Sequence, residues 1–293
     1  MSIFSHFEKV AGPFPGEANG VIWDGDGVLF SLKDDSRLMH FNPSSREVKE
    51  VRKYTNRVNG IARGPQGQLY GAQEGGRRLV EFMPDGRMTE IHAKLDGLWH
   101  NQPTHLIVDV KGRIWFCDPH SDVLPFGPRF FPPLEHASVL RLWRNDRHDW
   151  VVQRITYDTL SPRALALSND GKFLFVAEGE AKPQKVRQLR AYPFLDDSLL
   201  GAPKVLMSFP EDGMGPHRGI EGLCISSEGH LIACGGWMLS GPGPAVYVFG
   251  SDGRLLSATA FPADRPNQCC LDSQGRRLFV TTAGGELYMG SRI

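Results

Sequence analysis

Long apolar runs are missing from this 293-residue chain. Nothing approaches the roughly 18 consecutive apolar residues that a membrane-crossing helix needs. The start, Met1-Ser2-Ile3-Phe4-Ser5-His6, lacks a basic segment followed by an apolar one, so a secretory leader is not expected and a cytoplasmic location is. An excess of either charge is missing too: 33 basic residues face 33 acidic ones. A nucleic-acid or anionic-membrane partner needs a basic face, so neither is expected. Cysteine is scarce. The five are odd in number, form no CxxC pair and mostly sit in apolar runs, which reads as buried free thiols. Phosphate-cradling glycine loops, HExxH and GxSxG are all lacking, so the common nucleotide, metalloprotease and serine-nucleophile chemistries have no motif behind them.

What the chain has in plenty is glycine, 33 residues, and proline, 21, spread over its whole length. That composition indicates many turns. One pattern recurs: a short apolar strand, a polar turn with glycine, a second apolar strand. It is plain in Ile61-Ala62-Arg63-Gly64-Pro65-Gln66-Gly67-Gln68-Leu69-Tyr70 and again in Leu165-Ala166-Leu167-Ser168-Asn169-Asp170-Gly171-Lys172-Phe173-Leu174. The turn glycines of the six copies are Gly27, Gly67, Gly112, Gly171, Gly229 and Gly275, placed where tight hairpins need positive φ. Units of this length, with further β-rich runs between, are the mark of propeller blades. The expected fold is all-β: one domain over residues 1–293, a six-bladed β-propeller of four-stranded antiparallel blades. The last copy holds only three strands, and the segment around Phe7–Val10 is expected to supply the fourth and close the ring.

The first-strand starts include Gly16-Glu17-Ala18-Asn19-Gly20, Val58-Asn59-Gly60, Asn101-Gln102-Pro103-Thr104-His105, Ser161-Pro162-Arg163 and Ile220-Glu221-Gly222. Together with Gln73-Glu74-Gly75-Gly76-Arg77-Arg78 and Trp115-Phe116-Cys117-Asp118-Pro119, their order resembles the gluconolactonase/regucalcin (senescence marker protein) family. The resemblance spans nearly the whole chain. It implies a small-molecule substrate, lactone hydrolysis, and a divalent cation such as calcium held by a first-blade Glu, a blade-four Asn and a blade-five Asp; hard oxygen ligands suit that ion.

Measured against that pattern, Glu17 is retained. Thr104 and His105 replace a blade-three Asn-Asp, Arg163 replaces the blade-four Asn, and Glu221 replaces the blade-five Asp. A guanidinium offers no lone pair and stays protonated. The expectation is therefore an altered site with no resident cofactor, in which Arg163 lies between Glu17 and Glu221 and pairs with both. The alternative is a surviving metal held by Glu17 and Glu221, with His105 or water.

His105 is the first candidate for acid/base work, because imidazole titrates near neutrality. Arg163, Glu221 and Glu17 complete the catalytic candidates. Asn59, Asn101, Thr104, His217 and Trp237 are candidates for substrate contact, each with a bland reading as a packed or hydrogen-bonded residue. His100 and Arg218 are weaker rim candidates, and Asp118 reads as a turn cap. The insertion from His120 to His136 reads equally as a lid or a packed surface loop. The segment Pro210–Gly219 is a second rim element. The resemblance favours a lactone or ester hydrolase. Metal-free acid/base chemistry of another class on this scaffold, as in strictosidine synthase-like propellers, and a non-catalytic ligand-binding propeller stay open.

Overall fold

The second strand of each repeat is apolar on both faces. Gly27–Leu32, Ile114–Asp118 and Leu231–Gly235 are buried at every residue. A strand reads this way when elements cover both sides of its sheet. The last strand of the first repeat, Glu47–Arg52, is by contrast mostly exposed and mostly charged. This gradient stands four-stranded sheets on edge around an axis, with the first strand innermost.

The computed structural model describes residues 3–120, 132–185 and 187–292. It contains six four-stranded antiparallel sheets. In chain order their inner strands are Ala18–Asp24, Val58–Arg63, Leu106–Val108, Pro162–Leu167, Ile220–Ile225 and Pro266–Leu271. The protein is thus a six-bladed propeller. Phe4–Ala11 pairs antiparallel with Leu287–Arg292, so the N-terminal strand completes the sixth blade as expected. One apolar cluster fills each seam between neighbouring blades. Each fully buried Phe, Leu or Ile in these seams contributes about 1.5–3 kcal/mol relative to exposure.

Five of the six expected turn glycines have positive φ: Gly67, Gly112, Gly171, Gly229 and Gly275. In the first blade the expectation of Gly27 is corrected. Gly25 holds the positive φ there, while Gly27 already belongs to the second strand.

The inner strands share a device that matters for the site. In five blades the pairing of first and second strand slips near the start of the inner strand, at Ala18/Val21, Val58/Ile61, Pro162/Ala164, Ile220/Gly222 and Pro266/Cys269. An extra residue at such a bulge re-aims the side chains around it. Gly20 and Gly222 sit in two of these bulges, where a Cβ would lie 2.5 Å from the carbonyl oxygen of Asn59 and of Asn267 respectively. Glycine here lets adjacent inner strands touch backbone to backbone around the axis.

Candidate functional site

The bulges place polar side chains at one end of the channel. Asn19, Asn59, Thr104, Arg163, Glu221 and Asn267 come from the inner-strand starts. Lys33, Asp34 and Glu74 join them from the segments after the second strands, and together they line a cavity of about 470 Å³ at this mouth. Arg57, Gln102, His120, Arg218 and Glu17 complete its charged and polar wall. The opposite end of the channel is a different environment, a chamber of about 820 Å³ walled largely by aliphatic residues such as Ile61, Leu106, Leu165 and Leu223. Gln268 lines both.

Ion pairs order the mouth. The Lys33 ammonium is 2.7 Å from Glu17 Oε2 and 3.7 Å from Glu74 Oε2. Arg57 bridges Asp34 at 2.6 Å and Glu74 at 3.3 Å. Asn59 donates to Glu74 Oε2 at 3.2 Å, and the Glu17 backbone N–H donates to Asp34 Oδ2 at 3.1 Å. Burial by itself raises the Glu17 carboxyl and is the largest single effect, but the Lys33 charge together with the hydrogen bonds from Lys33 and Asn19 outweighs it and holds the group below its usual range. Burial lowers the Lys33 ammonium, and Glu74 and Glu17 more than reverse this, so it stays charged well into alkaline solution. Asp34 is held low as well: burial is outweighed by the Glu17 N–H, Lys33 and Arg57.

The expected Glu17–Arg163–Glu221 pairing does not form. Among the described residues Arg163 pairs with Glu180, at 3.5 Å, Glu17 pairs with Lys33, and Glu221 pairs with Arg218 at 3.4 Å. The reason is reach: Lys33 and Arg218 come from the same two blades as their carboxylates and meet them first. Arg163 still lines the mouth, and its Nε is buried without a hydrogen-bond partner among the described residues.

The acidic donors that a divalent cation would use are already engaged by cations of the chain. The Glu17 oxygen that would ligate it already accepts from an ammonium and from Asn19. Among the described residues no cluster of three His, Cys, Asp or Glu side chains has metal-binding geometry. Lys33, Arg57, Arg163 and Arg218 already balance Glu17, Asp34, Glu74 and Glu221 along the wall. A further double positive charge would meet four fixed cations.

Five candidates lie elsewhere than expected. His105 is not in the mouth. Side chains alternate along an extended chain, so Gln102 and Thr104 line the mouth while His105 turns into the lower chamber. There its Nδ1 accepts the Leu165 N–H at 3.3 Å, and burial pushes its pKa down to about 4. Asn101, at the bend before that stretch, is also turned away; it is buried, with its backbone N–H on Asp118 Oδ2 and its side chain on the Asp118 carbonyl. His217 pairs with Asp212 at 2.7 Å in the hairpin Glu211–Asp212/Gly215–Pro216, which is what the Pro210–Gly219 rim segment forms. Trp237 donates its indole N–H to Ser240 at 2.7 Å within its own loop. His100 is buried rather than at the rim, bonded to His92. Most of the His120–His136 insertion lies outside the described residues.

Lys33, Asp34, Arg57, Glu74, Asn19 and Asn267 were not singled out as site residues in the sequence. One signal was available for Asn19, because Asn19-Gly20 repeats the Asn59-Gly60 pattern with glycine in the bulge.

Comparison with known proteins bears on this geometry. Residues 17–284 match the sequence profile of the SMP-30/Gluconolactonase/LRE-like region. A gluconolactonase of Zymomonas mobilis is 25% identical over 232 residues, 77% of this chain, and the match spans 60% of that protein's length. The structure of a gluconolactonase from Xanthomonas campestris superposes with a TM-score of 0.82 at 25% identity, covering 98% of this chain and 89% of that one. The calcium-binding regucalcin of Agrobacterium tumefaciens shares the fold at a TM-score of 0.71 and 16% identity, covering 98% and 93%.

Proposed function

The chain belongs to the SMP-30/gluconolactonase/LRE-like family, and from that premise we propose that it hydrolyses a small lactone or related ester in the mouth cavity, without a resident metal. The observation that carries this reading is Arg163, a guanidinium in the cavity wall with a loose carboxylate partner and an unpartnered Nε.

In this mechanism an Arg163 N–H donates to the substrate carbonyl oxygen, the place where negative charge develops. The Glu221 carboxylate lines the same cavity. It accepts a proton from the water that attacks the carbonyl carbon, giving a tetrahedral intermediate held by Arg163. Collapse breaks the ring C–O bond, and the proton on Glu221 passes to the leaving alkoxide. One lactone and one water give one hydroxy acid. Glu17, fixed by Lys33, and Asn59, fixed on Glu74, supply oriented acceptors and donors for the substrate's hydroxyl groups. The lactone lies in a wall of charged and amide groups, which suits a polar, hydroxylated ring over an alkyl one.

A lactone panel read by acid release, with and without chelator, tests the proposal. Activity is expected to persist in chelator and to fall about 100- to 1,000-fold in Arg163→Met, the usual loss on removing an oxyanion donor. Activity that chelator abolishes and calcium restores would overturn the metal-free reading. Undiminished turnover in Arg163→Met would overturn the arginine's role.

A further inference from the structure

The lower chamber carries chemistry that lactone hydrolysis does not use. Three of its wall residues are cysteines: Cys224, Cys269 and Cys270. Cys224 lies on the inner strand of blade five and Cys269 on that of blade six. Their sulfurs are 3.6 Å apart across the seam between the blades. A disulfide needs about 2.05 Å, so the pair must close by about 1.5 Å to form one. The strands are in contact at this place: a Cβ on Gly222 would be 2.5 Å from the Asn267 carbonyl oxygen and 2.6 Å from Gln268 Cα.

Access is asymmetric. Cys224 is half-buried and faces the chamber, whereas Cys269 is buried. The charges around the chamber's opening neutralise one another: Arg63 pairs with Asp24, Arg113 with Asp109 and Asp197, and Lys111 with Asp197. With aliphatic walls behind a neutral rim, the chamber admits an uncharged reagent more readily than an ion.

We propose that Cys224 and Cys269 are a redox pair, converted to a disulfide between blades five and six by an uncharged hydroperoxide entering the lower chamber. Cys224 is the sulfur attacked first. It gives up its proton, bonds to the distal peroxide oxygen and breaks the O–O bond, and the alcohol leaves with a proton from water. Cys224 is then a sulfenic acid, oxidised by two electrons while the peroxide is reduced. Cys269 attacks that sulfur, the S–O bond breaks, and hydroxide leaves as water with the Cys269 proton. Two thiols and one hydroperoxide give one disulfide, one alcohol and one water. The hydrogen bond to Cys224, with burial adding to it, pushes the Cys269 thiol well up, so it stays protonated and is not the sulfur that meets peroxide. Of the other thiols, Cys234 on the second strand of blade five also contacts Cys269, but it is fully buried and does not line the chamber, so peroxide has no route to it. Cys270, one residue along the strand from Cys269, belongs to the apolar cluster between blades six and one, and Cys117 is buried between blades three and four.

The experiment treats the full chain with tert-butyl hydroperoxide and counts thiols in denaturant. The expected result is loss of two of the five thiols, recovery on reduction with dithiothreitol, and one cross-linked peptide pair joining Cys224 to Cys269. In Cys224→Ser the remaining thiols are expected to survive the same treatment. In Cys269→Ala, Cys224 is expected to stop at an oxygenated form that a dimedone probe captures. Retention of all five thiols in the wild type overturns the proposal. So does a cross-link through Cys234 or Cys270, or irreversible oxidation of Cys224 with Cys269 present. Peptide mapping of the wild type decides the matter even where a variant fails to fold, and none of these readouts depends on the hydrolase reading.

Discussion

Replacing Lys33 with Met isolates the charge that organises the mouth. The methionine keeps most of the apolar stem and removes the ammonium that lies 2.7 Å from Glu17 and 3.7 Å from Glu74. Glu74 keeps Arg57 and Asn59. Glu17 is left with Asn19 at 3.5 Å. Breaking a fully buried pair costs about 3–5 kcal/mol, and an exposed one is worth about 0–1 kcal/mol. The Lys33 side chain is 14% exposed and that of Glu17 34%, so solvent screens part of the loss and about 2 kcal/mol is expected at pH 7.5. The pH dependence has a definite sign. The folded-state pKa of Glu17 is depressed. Its pairing therefore stabilises above the unfolded carboxylate value and is lost as pH falls through the folded one. The gap between wild type and Lys33→Met in urea unfolding should narrow at pH 4. The variant also frees an acidic site, so millimolar calcium should stabilise it and leave the wild type unmoved; saturation at 100 times Kd is worth about 2.7 kcal/mol. Equal stability of the two proteins at pH 7.5, or equal stabilisation of both by calcium, would refute the reasoning.

Three further perturbations follow from the same geometry. His105 is held neutral with a pKa of about 4, so the unfolded chain takes up its proton first as pH falls from about 6.5; wild-type stability should drop by about 3 kcal/mol toward pH 4 from this residue, and urea midpoints of His105→Gln should show a shallower acid limb. Glu178 is buried, accepts two backbone N–H groups on Oε1 and leaves Oε2 without a partner, with its pKa raised by burial; Glu178→Gln should stabilise by about 1 kcal/mol at pH 7.5, because the carboxylate's desolvation is removed, and a destabilised variant there would contradict this. Gly20→Ala puts a Cβ 2.5 Å from a carbonyl oxygen and should cost about 3 kcal/mol by overpacking two inner strands, read as a lowered thermal midpoint.

The propeller was legible because its turns are local. A glycine between two short apolar strands is readable without knowledge of any other blade, and five of the six assigned turn glycines hold positive φ. Glu17, Asn59, Thr104, Arg163 and Glu221 were legible as mouth residues because every inner strand starts there. His105 was misplaced by a single residue of alternation, which decides between a polar mouth and an aliphatic chamber. Lys33 and Arg57 were illegible for a different reason. Each follows or precedes a strand as an ordinary surface charge would, and only the antiparallel pairing of the first two strands within one blade sets Lys33 beside Glu17 and Arg57 beside Glu74. Arg163 could be read as a cation in the mouth, but its partner Glu180 could not, since which carboxylate it meets is a matter of distance in the fold.

The strand that closes the ring pairs Phe4 with Arg292, and this imposes an order of events on folding. Loop closure between residues so distant costs about 5 kcal/mol of chain entropy, to be met before any contact across that seam repays it. During synthesis at about 5–20 residues per second, the N-terminal strand leaves the ribosome some tens of seconds before its partner exists. Blades one to five can assemble meanwhile, each against the one before it. The sixth cannot, and a chain stopped short of Leu287 keeps two unpaired edges, a state that quality-control factors can distinguish from the finished ring.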